Sequence, residues 1–198
     1  MKYQNFLNVF DQAQANKLLS HHSYDYKIKL TSDVTSFCCW AYWMFLYKFQ
    51  KVKKYLNENL FKEFIISSKV FYFSLILFIL KANEDLQFCI DYWKLNVIIK
   101  RNRYFLLLIN EVINKIIDCK HLIQLNIILT FNKLQMHSDS ENYTIFIIAL
   151  EAYKSKVLLF ELINNSVSFQ QYMNDVLWDF LNDFYQVYLN DILIYSKT

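Results

Sequence analysis

Neither glycine nor proline occurs anywhere in this chain of 198 residues. At average usage, about 7% and 5%, a chain of this length lacks both by chance about once in 10¹¹. The absence constrains every turn. Glycine is the default wherever φ is positive, and proline presets the first position of many turns. A chain with neither must close its helices and hairpins with residues that carry a Cβ. Even helical bundles use both residues at helix ends. The cause therefore lies outside folding.

Other features bound the class. A hydrophobic fraction of 55% excludes a disordered polar chain, and the length suits one or two domains with a sizeable core. The net charge of +3 points only weakly to an anionic partner. Cys38, Cys39, Cys89 and Cys119 form no C-x-x-C pair, and no signal-peptide pattern opens the chain. Neither a zinc site nor a disulfide framework is expected, and a reducing compartment is the default. His21, His22, His121 and His137 suggest no ligand set. The apolar run from Val70 to Leu80 is too short for a spanning helix, which needs about 20 residues. It reads as a buried strand.

Periodicity outlines the elements. Phe49, Val52, Tyr55, Leu56, Leu60, Phe61 and Phe64 recur at helical spacing among lysines. "LQFCIDYWKL" reads as a strand, with Phe88, Ile90 and Tyr92 on one face and Cys89 and Asp91 on the other. "LIQLNIILTF" reads as a second strand, apolar except for Asn126. "SVSFQQYMNDVLWDFLNDF" predicts a helix capped by Ser166 or Ser168, with a stripe of Tyr172, Met173, Val176, Leu177 and Phe180. "QVYLNDILIYSK" reads as a hairpin with Asn190-Asp191 at its tip. This order favours a mixed α+β domain.

Five strings then stand together: "FCIDYWKLN", "RYFLLLINEVINKI", "LNIILTFNKLQMH", "LLFELINNSVSFQQYMNDVL" and "QVYLNDILIYSK". Their order and spacing resemble the reverse transcriptase, an RNA-directed DNA polymerase, of gypsy-type LTR retrotransposon Pol polyproteins. The resemblance runs from about Phe10 to Thr198. It implies the fingers and partial palm of a right-hand polymerase, cut after the catalytic hairpin. Residues 1–25 would be an N-terminal leader, and 26–198 the fingers and partial palm.

The departures from the family's pattern are themselves patterned. Phe105, Leu107, Ser138, Leu159 and Ser166 stand where the family has Pro, and Glu151 and Glu161 where it has Gly. Trp93, Gln87 and Gln124 stand for Arg, and Asn126 and Asn190 for Asp. Cytosine-to-thymine changes on one strand or the other produce all of these. A hypermutated, fungal retroelement copy is the implied origin, and a stop codon of the same kind after Thr198 is expected. An AT-rich genome would also deplete Gly and Pro, but does not account for the lost aspartates.

The resemblance implies two-metal nucleotidyl transfer, with Mg²⁺ held by three aspartates. Those positions map onto Asn126, Asn190 and Asp191, so only Asp191 keeps a carboxylate for metal. An amide has the shape of a carboxylate without its charge. The expected consequence is a pseudoenzyme that does not bind Mg²⁺ productively and performs no chemistry. Lys81, Gln87, Phe131 and Phe160 map onto positions near the incoming nucleotide. Phe131 reads equally as a core aromatic on a strand. Lys94, Lys100, Arg101 and Arg103 can contact phosphates or form a solvated basic face. The family's partners are an RNA or DNA template-primer and a deoxynucleoside triphosphate, with no membrane. Two readings remain open: a catalytically dead reverse transcriptase fragment, or a non-catalytic nucleic-acid-binding or interaction module derived from it.

Overall fold

The computed structural model describes residues 11–32, 46–69, 73–80, 86–104, 109–128, 130–148, 151–181 and 183–196. They divide into two compact units that interleave along the chain. The first gathers Met1–Asn16, Asn102–Phe131 and Asn164–Thr198; the second gathers Lys17–Arg101 and Asn132–Ile163.

The second unit starts from helix α2 (Leu46–Phe61), after the short helix α1 (Gln12–Ala15) of the first unit. Val52 and Leu56 of α2 are buried, while Phe61 is 91% exposed. Of the predicted apolar stripe, Val52, Leu56 and Phe64 are buried, whereas Phe49, Leu60 and Phe61 are exposed. The chain reversal after α2 shows what the missing glycine leaves behind. Glu63 takes φ 57. Phe64 N–H donates to the Asn59 carbonyl at 2.9 Å, and Glu63 N–H to the Leu60 carbonyl at 3.0 Å. These two bonds make a Schellman closure, with glutamate at the position that usually holds glycine.

Strands β1 (Ile65–Ser68), β5 (Phe146–Ile148) and β6 (Glu151–Ser155) form an antiparallel sheet in the order β1-β6-β5. Strands β2 (Ile76–Leu80) and β3 (Leu86–Ile90) pair antiparallel as a separate ribbon. Ser74 ties the ribbon to the sheet: its N–H donates to the Ile145 carbonyl at 2.8 Å, and its carbonyl accepts from Ile147 N–H at 3.2 Å. Phe64, Ile65, Tyr92, Leu134, Met136, Phe146, Leu158 and Leu162 form the core.

Two readings of this region change. The expected buried strand is an edge ribbon, with Ile79 and Leu80 54% and 65% exposed, because each ribbon strand has one partner. Residues 70–72 of the apolar run lie outside the described residues. The strand expected through "LQFCIDYWKL" ends at Ile90 and gives way to helix α3 (Trp93–Ile98). Asp91 makes the break, since its side chain accepts the Trp93 N–H at 3.0 Å. Among the described residues, no helix is long and apolar enough to cross a membrane.

The first unit carries helix α4 (Ile109–Ile116), strand β4 (His121–Asn126), helix α6 (Asn165–Val176) and the hairpin β7 (Tyr185–Tyr188) and β8 (Asp191–Ser196). Its sheet runs β4-β8-β7, all antiparallel. Helix α5 (Ser138–Glu141) belongs to the second unit and begins at Ser138. The predicted strand through "LIQLNIILTF" stops at Asn126, and Thr130–Lys133 form a 3-10 turn. Helix α6 starts before either predicted serine cap, at Asn165. It buries Phe169, Gln170, Met173 and Asn174, whereas Val176 is exposed. Three polar residues, Asn165, Gln170 and Asn174, are thus buried on this helix, which an apolar-stripe reading cannot anticipate.

Candidate functional site

The hairpin brings the three expected metal positions together. Asn126 ends β4 and Asp191 begins β8, directly opposite each other in register. Asn126 Nδ2 donates to Asp191 Oδ1 at 3.1 Å. The Asn190 carbonyl accepts Ile127 N–H at 3.0 Å, closing the same corner. The tip differs from the sequence reading. Its two loop residues are Leu189 and Asn190, and Asp191 is already in the strand. Leu189 takes φ 54. A positive φ at the first loop residue is the position a type II′ turn reserves for glycine.

The buried Gln170 holds that turn. Its Oε1 accepts Leu189 N–H at 3.0 Å, and its Nε2 donates to the Val187 carbonyl and to Asn174 Oδ1, both at 3.0 Å. Asn174 Nδ2 donates onward to the Tyr104 hydroxyl at 2.8 Å. A short loop with a Cβ-bearing residue at positive φ is thus secured by a side chain two elements away. Sequence reasoning missed this network. The available signal was a glutamine beside Phe169 in the middle of an amphipathic helix.

Two metal ions require several anionic oxygens. This corner has one carboxylate, and that carboxylate faces an amide. An ionised carboxylate only accepts, so the amide must turn its N–H toward it. With aspartate at position 126, two carboxylates would face each other and need a cation between them. With asparagine the pair satisfies itself. The residues present do not fit a two-metal centre. Among the described residues, no group of three His, Cys, Asp or Glu side chains is placed to hold an ion.

The other expected positions are dispersed. Phe131 sits half-buried in the 3-10 turn of the first unit rather than on a strand, edge-on to Phe169 at 6.3 Å. Gln87 and Phe160 belong to the second unit and line one cavity of about 560 Å³. Lys81 lies outside the described residues. Leu77, Ile90, Trp93, Val97, Arg101 and Glu161 also line the cavity. Glu161 Oε1 receives a long bond, 3.4 Å, from Ile90 N–H. Burial in these apolar surroundings pushes its carboxyl above the usual range. Asn96 fixes the loop that carries it, donating to the Glu161 carbonyl at 2.8 Å and accepting Ile163 N–H at 2.9 Å. Burial, and then the Glu161 charge, raise the Tyr55 and Tyr92 hydroxyls well above their ordinary value.

Across 98% of this chain the arrangement superposes on a foamy viral protease-reverse transcriptase solved in complex with an RNA/DNA hybrid, with a TM-score of 0.78 and 14% sequence identity. The fold is that of a reverse transcriptase. The matched region is 27% of that longer chain. The chain is also similar to the retrovirus-related Pol polyprotein from transposon 297 of Drosophila melanogaster, 33% identical over 109 residues. That match covers 55% of this chain and 10% of the relative, so the chain spans about a tenth of it. An RNA-directed DNA polymerase homolog of Oenothera berteroana is 24% identical over 112 residues, covering 57% of this chain and 79% of the homolog. No family model matches the chain.

Proposed function

We propose that this chain is a hypermutated remnant of a gypsy-type retrotransposon reverse transcriptase, of fungal origin, that has lost nucleotidyl transfer. The observation that carries the reading is the Asn126–Asp191 pair. An amide-carboxylate hydrogen bond at 3.1 Å occupies the strand corner where the resemblance expects two metal-binding aspartates. In this reading residues 1–25 are a leader and 26–198 the fingers and partial palm. Asn126, Asn190 and Asp191 are the former Mg²⁺ positions, and Lys81, Gln87, Phe131 and Phe160 surround the former nucleotide site. Template-primer contacts outlast the chemistry, because phosphate and stacking contacts need no metal.

Primer extension on an RNA template, with Mg²⁺ or Mn²⁺, tests the loss. No template-dependent incorporation above a no-protein control is expected. Incorporation that disappears in Asp191→Ala would overturn the reading. Binding of a labelled RNA/DNA hybrid tests the retained part. The cavity of the second unit favours such a retained binding role, since it joins exposed aromatic surface to Arg101 and the Glu161 carboxylate.

A further inference from the structure

We propose that the cavity lined by Trp93, Phe160, Gln87, Arg101 and Glu161 binds a guanine base through Glu161. The inference rests on the nucleic-acid reading above and deepens it.

The cavity lies wholly within the second unit, and its size suits a nucleobase-scale ligand. Two of its walls are aromatic and strongly exposed: Trp93 at 78% and Phe160 at 61%. Exposed aromatic side chains serve as stacking platforms for bases. Arg101 supplies a donor for a phosphate on the same ligand. Aromatic faces and an arginine alone would accept any nucleotide. Glu161 makes the site selective.

An ionised carboxylate presents two acceptors and no donor. Uracil and thymine offer it one N–H between two carbonyls. Cytosine and adenine offer an amino group beside a ring nitrogen that repels it. Guanine alone of the common bases offers two adjacent donors, N1–H and the 2-amino group. Within the protein, the carboxylate receives its own backbone N–H, the long Ile90 N–H bond and the Cys89 thiol, a weak donor. Burial already disfavours its ionised form, so two incoming donors gain more here than they would in water. Gln87, on β3, lies on the same cavity lining and can donate to the base's remaining acceptor edge.

The test is isothermal titration of the full chain with 5′-GMP, 5′-IMP and 5′-UMP. IMP differs from GMP only in lacking the 2-amino group. GMP should bind at least about tenfold more tightly than either, the scale of one good bidentate base contact. Glu161→Gln should erase the GMP-over-IMP preference. Trp93→Ala, at an exposed position, should weaken all three nucleotides alike. Circular dichroism checks that both variants fold, and the Trp93 variant keeps the test valid if the Glu161 variant does not. Displacement of GMP by a thymine strand carrying one guanine assigns the base to a single strand, and failure to displace it assigns the base to a free nucleotide. Equal binding of GMP and IMP, or a preference that survives Glu161→Gln, overturns the proposal. In that event, undiminished binding of an all-thymine strand leaves the nucleic-acid reading standing. A GMP preference without any strand or hybrid binding would instead overturn that reading and keep the pocket.

Discussion

Replacing Glu63 by glycine should stabilise the protein. Glu63 is exposed, lies beyond the end of α2, and sits at φ 57 in a two-bond helix closure. A residue with a Cβ pays about 1–2 kcal/mol in this left-handed region. Glycine removes that cost but loses about 0.5–1 kcal/mol more conformational entropy on folding. The net gain should be about 0.5–1 kcal/mol. With a urea dependence of about 2 kcal/mol per molar, the midpoint should rise by about 0.3–0.5 M. Far-UV circular dichroism during urea unfolding reads this shift. Two controls isolate the cause. Glu63→Ala keeps the Cβ and should leave the midpoint nearly unchanged. Glu63→Asn should fall between, because asparagine tolerates this region better than most residues. If Ala and Gly shift the midpoint equally, the gain comes from removing the carboxylate, and the backbone argument fails.

Gln170→Ala should destabilise the hairpin by about 2–4 kcal/mol, because it orphans the Leu189 N–H and the Val187 carbonyl; hydrogen exchange at the Leu189 amide should accelerate with it. Asn126→Asp with Asn190→Asp should create measurable Mn²⁺ binding by electron paramagnetic resonance where the parent chain has none, and Asp191→Ala should remove it again. Glu161 carries a pH signature: its folded carboxyl titrates above its unfolded value of 4.5, so the folded state holds the proton more tightly. Stability should therefore decline as pH rises from about 4.5 through the raised value, and Glu161→Gln should flatten that decline in thermal melts across the acidic range.

Local patterns in the chain determined a good deal. The centre of α2, the β7–β8 hairpin and the motif order were all legible, because period and turn spacing are properties of consecutive residues. So was the chemical poverty of the corner at Asn126, Asn190 and Asp191, since an amide is an amide in any fold. The absence of glycine likewise announced that some Cβ-bearing residues would be forced to positive φ. Which residues those were, Glu63 and Leu189, depended on where the helix closed and how the strands paired. Tertiary pairing also moved the hairpin tip one residue toward the N-terminus, because Asp191 is held opposite Asn126 in the sheet. The hydrogen bonding of Gln170 and the convergence of Trp93, Phe160 and Glu161 on one cavity join residues that are far apart in sequence. No periodicity encodes such meetings. They exist only once packing has chosen which polar side chains turn inward and what they meet there.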